Sequence, residues 1–400
     1  MAERASTGLR LAITGDGAIC ALGSGIREIL AALRAGRVAL APAPLVTSLR
    51  QPPPVFAAPD PPAGPGAPEL YRTTLLALCA AREAAATAWP AGLPVLPGRI
   101  GVSLGTTVGC TLNHEPFYRA YRRAEDPGAG AVRRYFANDL AACVADALGA
   151  RGPLATVANA CASSADAIGL AASWLAAGDC DAVVAGGADE LVRYPYIGFA
   201  LLQNVAFEAC RPFDLHRSGL NLGEGAGLLV LEREDDARRR GAAVRGRLLG
   251  YANAADAHHA TTPHPDGRGL REALGLALRR AGVDASEIGL VGAHGTGTIE
   301  NDRVEGKVLA DSFPAGTVVC ATKGYTGHTL AAAAVLASIL TVHGLREGWV
   351  PRSAGFATPD PECRIVPTTA LTPIDAQVAV ATALAFGGTN AVLVLGRGDR

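Results

Sequence analysis

The chain has 400 residues, 49% of them hydrophobic, with 36 Lys and Arg against 37 Asp and Glu for a net charge of -1. This composition excludes a disordered chain and is ample for the cores of two domains, or of one structure built from two similar halves. A charge so close to zero excludes a general attraction to nucleic acid or to an anionic membrane, so partners must be recognised locally.

The first predicted strand lies in "LRLAITGDGAI" and is followed by a helix in "GIREILAALRAG". The next thirty residues, "APAPLVTSLRQPPPVFAAPDPPAGPGAPEL", are too rich in proline and glycine for a regular helix or central strand and read as an excursion from the core. Helix "LYRTTLLALCAAREAAATAW", strand "RIGVSLGTT", helix "VRRYFANDLAACVADALG", the short "LATVANA", a helix after Cys161 and strand "DAVVAGGAD" then alternate.

The later part repeats this order weakly. It runs from "AAVRGRLLGYANAAD" through helix "GRGLREALGLALRRAG", strand "IGLVGAHGTGT", "DRVEGKVLADSF" and "GTVVCATKGYTGH" to an alanine helix and the strands of "VAVATALAFGGTNAVLVLG". A layered α/β protein is expected, with halves 1–235 and 236–400 fused without a flexible linker. The most apolar run, "LAAAAVLASIL", is shorter than the ~20 residues of a membrane span and reads as a buried helix.

Nine cysteines, without a C-x-x-C pair or metal-ligand spacing, and an opening "MAERASTGLR" without the order of a secretory leader predict free thiols in a reducing cytoplasm. His258, His259 and His264 cluster in "DAHHATTPHP", but neighbouring side chains point apart and no carboxylate completes a ligand set, so no metal is expected. "GEGAG" precedes an apolar strand and does not form a dinucleotide fingerprint, so neither nicotinamide nor ATP is expected.

Cys161 lies in "NACASSADAIG", among small residues just before a predicted helix. The helix dipole and free N–H groups there stabilise a thiolate, although a small buried cysteine suits an inert core equally well. His294 follows a strand in glycine-rich backbone, and His328 precedes the alanine helix with Lys323 five residues upstream. Each histidine alone reads as a structural hydrogen bonder; the two together can also converge on one thiol or carbonyl compound.

"NACASSADAIG", "RPFDLHRSGLNLGEGAG", "GAHGTGTIENDRVE", "TKGYTGHTLAAA" and "FGGTNAVLVL", in this order over nearly the whole chain, resemble the beta-ketoacyl synthases, nearest the elongating acyl-carrier-protein type. The resemblance implies a thiolase fold: two duplicated α/β halves in five layers, α-β-α-β-α, in a dimer. It implies decarboxylative condensation of an acyl thioester held on Cys161 with malonyl-carrier protein. The N–H groups of Cys161 and Phe386 would form the oxyanion hole, and Phe386 would also gate the thiol.

His294 and His328 would hold the malonyl thioester oxygen, and Lys323 would support the local field. Asp302 and Glu305 would be structural near the site, and Thr261, Thr296 and Thr298 would line the pantetheine path. No cofactor is implied beyond the carrier's phosphopantetheine. The expected partners are an acyl carrier protein and either a second copy or a chain-length-setting subunit; the alternative is that this chain is the catalytic or the chain-length-controlling subunit of a heterodimeric ketosynthase with little activity alone.

Three departures stand out. The family's glutamate nine residues after the second histidine is Ala337 here, which leaves Glu305 as the candidate partner of Lys323; the usual "FGFGG" is "LAFGG", with Leu384 and Ala385; and the stretch between "GGADE" and "RPFD" is short. They suggest a specialised member in fatty acid or polyketide synthesis, such as an aryl polyene pathway.

Overall fold

The computed structural model describes residues 10–43, 50–62, 70–107 and 115–399. Ten strands carry the architecture: β1 (Leu11–Cys20), β2 (Ile100–Gly105), β3 (Leu154–Val157), β4 (Ala182–Asp189), β5 (Gly225–Arg233), β6 (Gly246–Ala255), β7 (Ile288–Gly292), β8 (Val318–Cys320), β9 (Val378–Ala385) and β10 (Thr389–Arg397). Their spatial order is β3-β2-β4-β5-β1-β6-β10-β9-β7-β8. Numbered from its own first strand, each half has the order 3-2-4-5-1, and the two runs meet edge to edge at their first strands. Strand directions also match, with β2 parallel to β3 and β4 as β7 is to β8 and β9. A duplication that is faint in the letters is therefore explicit in the topology.

Within the sheet, β1 and β6 join the halves through three register pairs, Leu11↔Leu248, Ala12↔Arg247 and Ile13↔Gly246. Alternation of side chains along each strand gives each sheet two buried faces. Val183 and Ala185 of β4 and Leu393 and Leu395 of β10 face a shared central core. Ala182 and Val184 face one outer core, and Val392 and Val394 face the other. Helices Arg72–Ala88 and Leu140–Leu148 cover the first outer face, and Arg268–Ala281 and Ile299–Ser312 the second. Helices Ser163–Ala177 and Ala333–Glu347 fill the middle, completing five layers.

Small residues make that middle layer thin. A Cβ on Gly169 would lie 2.1 Å from the Tyr251 ring, so the Cys161 helix can approach the opposite half only because position 169 has no side chain. Among the described residues, the two 18-residue windows apolar enough to cross a membrane, Ala160–Ala177 and Leu330–Glu347, include these two central helices, and 83% of the second window is buried within the molecule. That burial accounts for the apolar run read as a core helix.

Two local expectations change. The helix expected through "VRRYFANDLAACVADALG" is two helices, Gly130–Ala137 and Leu140–Leu148, because Asp139 caps the second by accepting the Ala142 N–H at 2.8 Å. The proline-rich excursion lies partly outside the described residues; its described part is pinned by backbone bridges Ala41↔Val55 and Phe56↔Gly223.

Candidate active site

Cys161 stands at the corner between β3 and the helix Ser163–Ala177. The residue before it, Ala160, has φ 45°, a left-handed conformation that a side chain adopts only when its surroundings enforce it. Those surroundings are hydrogen bonds to the Ala160 carbonyl, from Ser163 Oγ at 2.6 Å and from Thr107 Oγ1 at 3.2 Å. The corner aims the sulfur at two backbone N–H groups, those of Phe386 and of Cys161 itself.

The thiol is not preset as a thiolate in the free protein. Burial pushes its pKa up to about 12, outweighing the lowering by Lys323 and the two N–H groups, and nearby Asp189 raises it further. The Cys161 N–H beside the helix start does lower it, but burial outweighs it.

The second half supplies both imidazoles. His294 follows β7, and its N–H donates to Glu305 Oε1 at 2.7 Å and Thr382 Oγ1 at 2.9 Å; the next N–H, of Gly295, donates to Glu305 Oε2 at 2.8 Å. Asp302 does the same for the following turn, accepting from the N–H groups of Thr296 at 3.0 Å, Gly297 at 3.1 Å and Phe213 at 2.7 Å. Both carboxylates thus fold the "AHGTGT" loop around themselves.

His328 is held by its N–H to Asn221 O at 2.8 Å and its carbonyl from the Gly223 N–H at 3.0 Å. The two rings lie 5.3 Å apart, edge to face. The Leu330 N–H donates to His328 Nδ1 at 3.2 Å, and Lys323 Nζ stands 3.3 Å from His294 Nδ1. Donors at both Nδ1 atoms assign the ring protons to Nε2, leaving two Nε2–H groups to donate. Burial first and then the Lys323 charge hold both imidazoles well below the ordinary value, so they are neutral.

Lys323 corrects one expectation. Its Nζ donates to the His294 carbonyl and faces His294 Nδ1, and among the described residues no carboxylate stands within ion-pair distance. Glu305 acts on it only through its field, because both Glu305 oxygens are taken by the His294 and Gly295 N–H groups and Thr382. Burial lowers the Lys323 pKa. Ala337, where a glutamate would stand, instead borders a void of about 20 Å³.

A cavity of about 250 Å³ joins these parts: Cys161, His294, His328 and Phe386 line it together with Thr261, Thr296 and Thr298. Lys323, Asp302 and Glu305 stand behind the lining. The Phe386 ring stacks on Phe199 at 5.1 Å. Ala385 occupies the last strand position of β9, paired with Thr389, and the left-handed residues of the turn are Gly387 and Gly388. The alanine is therefore unstrained there. His258 and His264 stack edge to face at 4.9 Å, while His259 Nδ1 accepts the Thr261 and Thr262 N–H groups.

Sequence reasoning passed over Asp189, which closes β4 with no exposed surface, and Asn221, whose Oδ1 accepts the Cys210 N–H at 2.8 Å. An acid ending an otherwise apolar strand was the available signal for the first.

Two α/β halves of one topology, with a cysteine from the first and two histidines from the second meeting in one cavity, define a thiolase-fold condensing enzyme. The family models "Beta-ketoacyl synthase, N-terminal domain" and "Beta-ketoacyl synthase, C-terminal domain" match residues 9–237 and 245–357. The chain is 36% identical over 339 residues to 3-oxoacyl-[acyl-carrier-protein] synthase 2 of Staphylococcus aureus (strain COL), covering 81% of each protein. Among solved structures it is similar to the ishigamide ketosynthase/chain length factor, with TM-score 0.90, 31% identity and coverage of 98% of this chain and 100% of that one. It is also similar to a ketosynthase in complex with its chain length factor from Xenorhabdus doucetiae, with TM-score 0.83, 29% identity and coverage of 99% and 100%. The chain belongs to the beta-ketoacyl synthase family.

Proposed function

We propose that the protein catalyses decarboxylative condensation of an acyl thioester with malonyl-carrier protein, giving 3-oxoacyl-carrier protein, carbon dioxide and free carrier. The observation that carries this reading is the meeting of one thiol, two N–H groups aimed at it and two neutral Nε2–H donors in a single cavity.

In the first half-reaction the Cys161 sulfur attacks the acyl carbonyl, the carrier sulfur leaves, and the thiol proton ends on the carrier. The N–H groups of Cys161 and Phe386 stabilise the oxyanion formed on the way. In the second, the malonyl thioester loses carbon dioxide, and its carbonyl oxygen collects the negative charge of the enolate between His294 and His328. Neutral donors suit this step, because they stabilise a charge that is present only transiently without pairing permanently with the malonyl carboxylate. The enolate carbon then attacks the acyl carbonyl, and collapse of the tetrahedral adduct expels Cys161.

In this reading both substrates arrive on phosphopantetheine, past Thr261, Thr296 and Thr298, and no resident cofactor or metal takes part. Dialysis against a chelator should leave the rate unchanged. Residues 1–235 and 236–400 act as halves of one site rather than as separable domains, in the cytoplasm.

A partner subunit is part of the reading. Strand β3 is the end of its sheet, and helices Glu115–Arg122 and Gly130–Ala137 bury none of their side chains while exposing Tyr121 and Phe136. The open edge of β3 suits a second copy or a chain-length-setting subunit, distinguished by the mass of the purified species alone and after co-expression. Ala337, Leu384 and Ala385 favour a specialised elongation, such as unsaturated or aryl-primed chains, over housekeeping synthesis; a clear preference for saturated primers would count against it. The overall reading is tested by incubating the enzyme with an acyl primer and malonyl-carrier protein: a product two carbons longer with release of carbon dioxide supports it, and absence of both with every partner tried overturns it.

A further inference from the structure

One buried carboxylate touches both sides of the site without lining the cavity. Asp189 Oδ2 accepts the Ala331 N–H at 2.8 Å and the Thr107 N–H at 3.0 Å, and its Oδ1 accepts Thr106 Oγ1 at 2.7 Å. Ala331 follows Leu330, whose φ of 50° is again left-handed and whose N–H fixes His328 Nδ1. Thr107 holds the Ala160 carbonyl at the other strained corner, directly before Cys161. A continuous path thus runs from His328 through Leu330, Ala331, Asp189, Thr107 and Ala160 to Cys161. Each end has its own support as well: Ser163 Oγ bonds the Ala160 carbonyl, and Asn221 and Gly223 hold the His328 peptide. Asp189 supplies a shared anchor for the two corners, beside the Val335 N–H that donates to Ser164 Oγ at 3.1 Å one turn further along the two helices.

We infer that Asp189 is a positioning residue that keeps the enolate held by His328 in register with the acyl group on Cys161. This rests on the proposed condensation. Its loss should leave acylation of Cys161 and decarboxylation running and disturb the attack that joins their products, so that malonyl groups lose carbon dioxide without forming a carbon–carbon bond. Asp189→Asn turns one acceptor oxygen into a donor facing buried N–H groups, whereas Asp189→Glu retains both acceptors.

The test measures, with one primer, acylation of Cys161, release of carbon dioxide and formation of ketoacyl product. In Asp189→Asn, acylation should stay within about threefold of wild type, while carbon dioxide released per ketoacyl product rises roughly tenfold, the effect of one charge-assisted hydrogen bond on positioning. Asp189→Glu should recover most of the wild-type ratio. A generally loosened structure lowers all three rates and leaves the ratio alone, and an unchanged ratio overturns the inference.

Should Asp189→Asn fail to fold, Thr107→Val, which removes only the hydroxyl bond to Ala160, must raise the same ratio, and an unchanged ratio there is equally contrary. A wild-type enzyme that condenses normally beside an unaffected Asp189→Asn strikes only this inference. A wild-type enzyme that neither decarboxylates nor condenses overturns the functional reading and the inference with it.

Discussion

Replacing Lys323 with methionine should separate catalysis from stability, moving them in opposite directions. The Lys323 ammonium is buried with no carboxylate in ion-pair distance among the described residues, and burial lowers its pKa. A cation whose folded pKa is depressed costs stability at every pH below its unfolded value, and methionine keeps the stem while removing that cost. The Lys323→Met protein should therefore melt no lower than wild type.

Catalysis should nevertheless fall. Lys323 Nζ is the donor at 3.3 Å that keeps His294 Nδ1 an acceptor and its proton on Nε2. Losing a hydrogen bond to a charged group costs about 1.5–3 kcal/mol, or roughly 10- to 150-fold in rate if it acts fully in the transition state. Release of carbon dioxide from malonyl-carrier protein without primer isolates this arm from Cys161, and a thermal melt reads the other. A variant that melts several degrees lower yet decarboxylates at the wild-type rate would refute the reasoning and make Lys323 a structural residue.

Other outcomes follow from the same geometry. With His294 and His328 held well below 6.5, decarboxylation should be flat from roughly pH 6 to 8, and a limb with an apparent pKa near 6.5 would contradict their neutrality. Because burial pushes the Cys161 thiol up to about 12, its alkylation by iodoacetamide should keep accelerating with pH beyond neutrality, without the early plateau of a low-pKa thiolate. Asp302→Asn sets an amide donor among the N–H groups of Phe213, Thr296 and Gly297 and should cost about 3 kcal/mol in urea unfolding; a change within experimental error would remove its role in the loop. In Gly105→Ala the new Cβ would lie 2.4 Å from the Ser163 carbonyl carbon and 2.5 Å from the Ser164 nitrogen, pushing the start of the Cys161 helix, so acylation should drop sharply; a wild-type rate would show that the helix start tolerates displacement.

The order of helices and strands was readable because hydrophobic period and glycine punctuation are local properties. The cysteine and histidine motifs were readable for a related reason: tight corners need small residues beside the reactive one, as around Cys161 and His294. The break at Asn138–Asp139 was also local, an Asp cap inside a helical pattern, but periodicity overrode it. What the letters could not carry was relational. The mirrored strand order exists only in pairing, the height of the Cys161 pKa depends on how completely the corner is buried, and the work of Glu305 is decided by which donors reach it first. Asp189 is the clearest case, since its meaning lies in two segments more than 80 and 140 residues away in the chain.

The most direct test of the account is intact-protein mass spectrometry of wild type and Cys161→Ala after incubation with acyl-carrier thioesters and then with malonyl-carrier protein. An acyl adduct is expected on wild type alone, discharged by malonyl-carrier protein as a ketoacyl product two carbons longer. An adduct of equal extent on Cys161→Ala, or an adduct on wild type that malonyl-carrier protein never discharges, would contradict it.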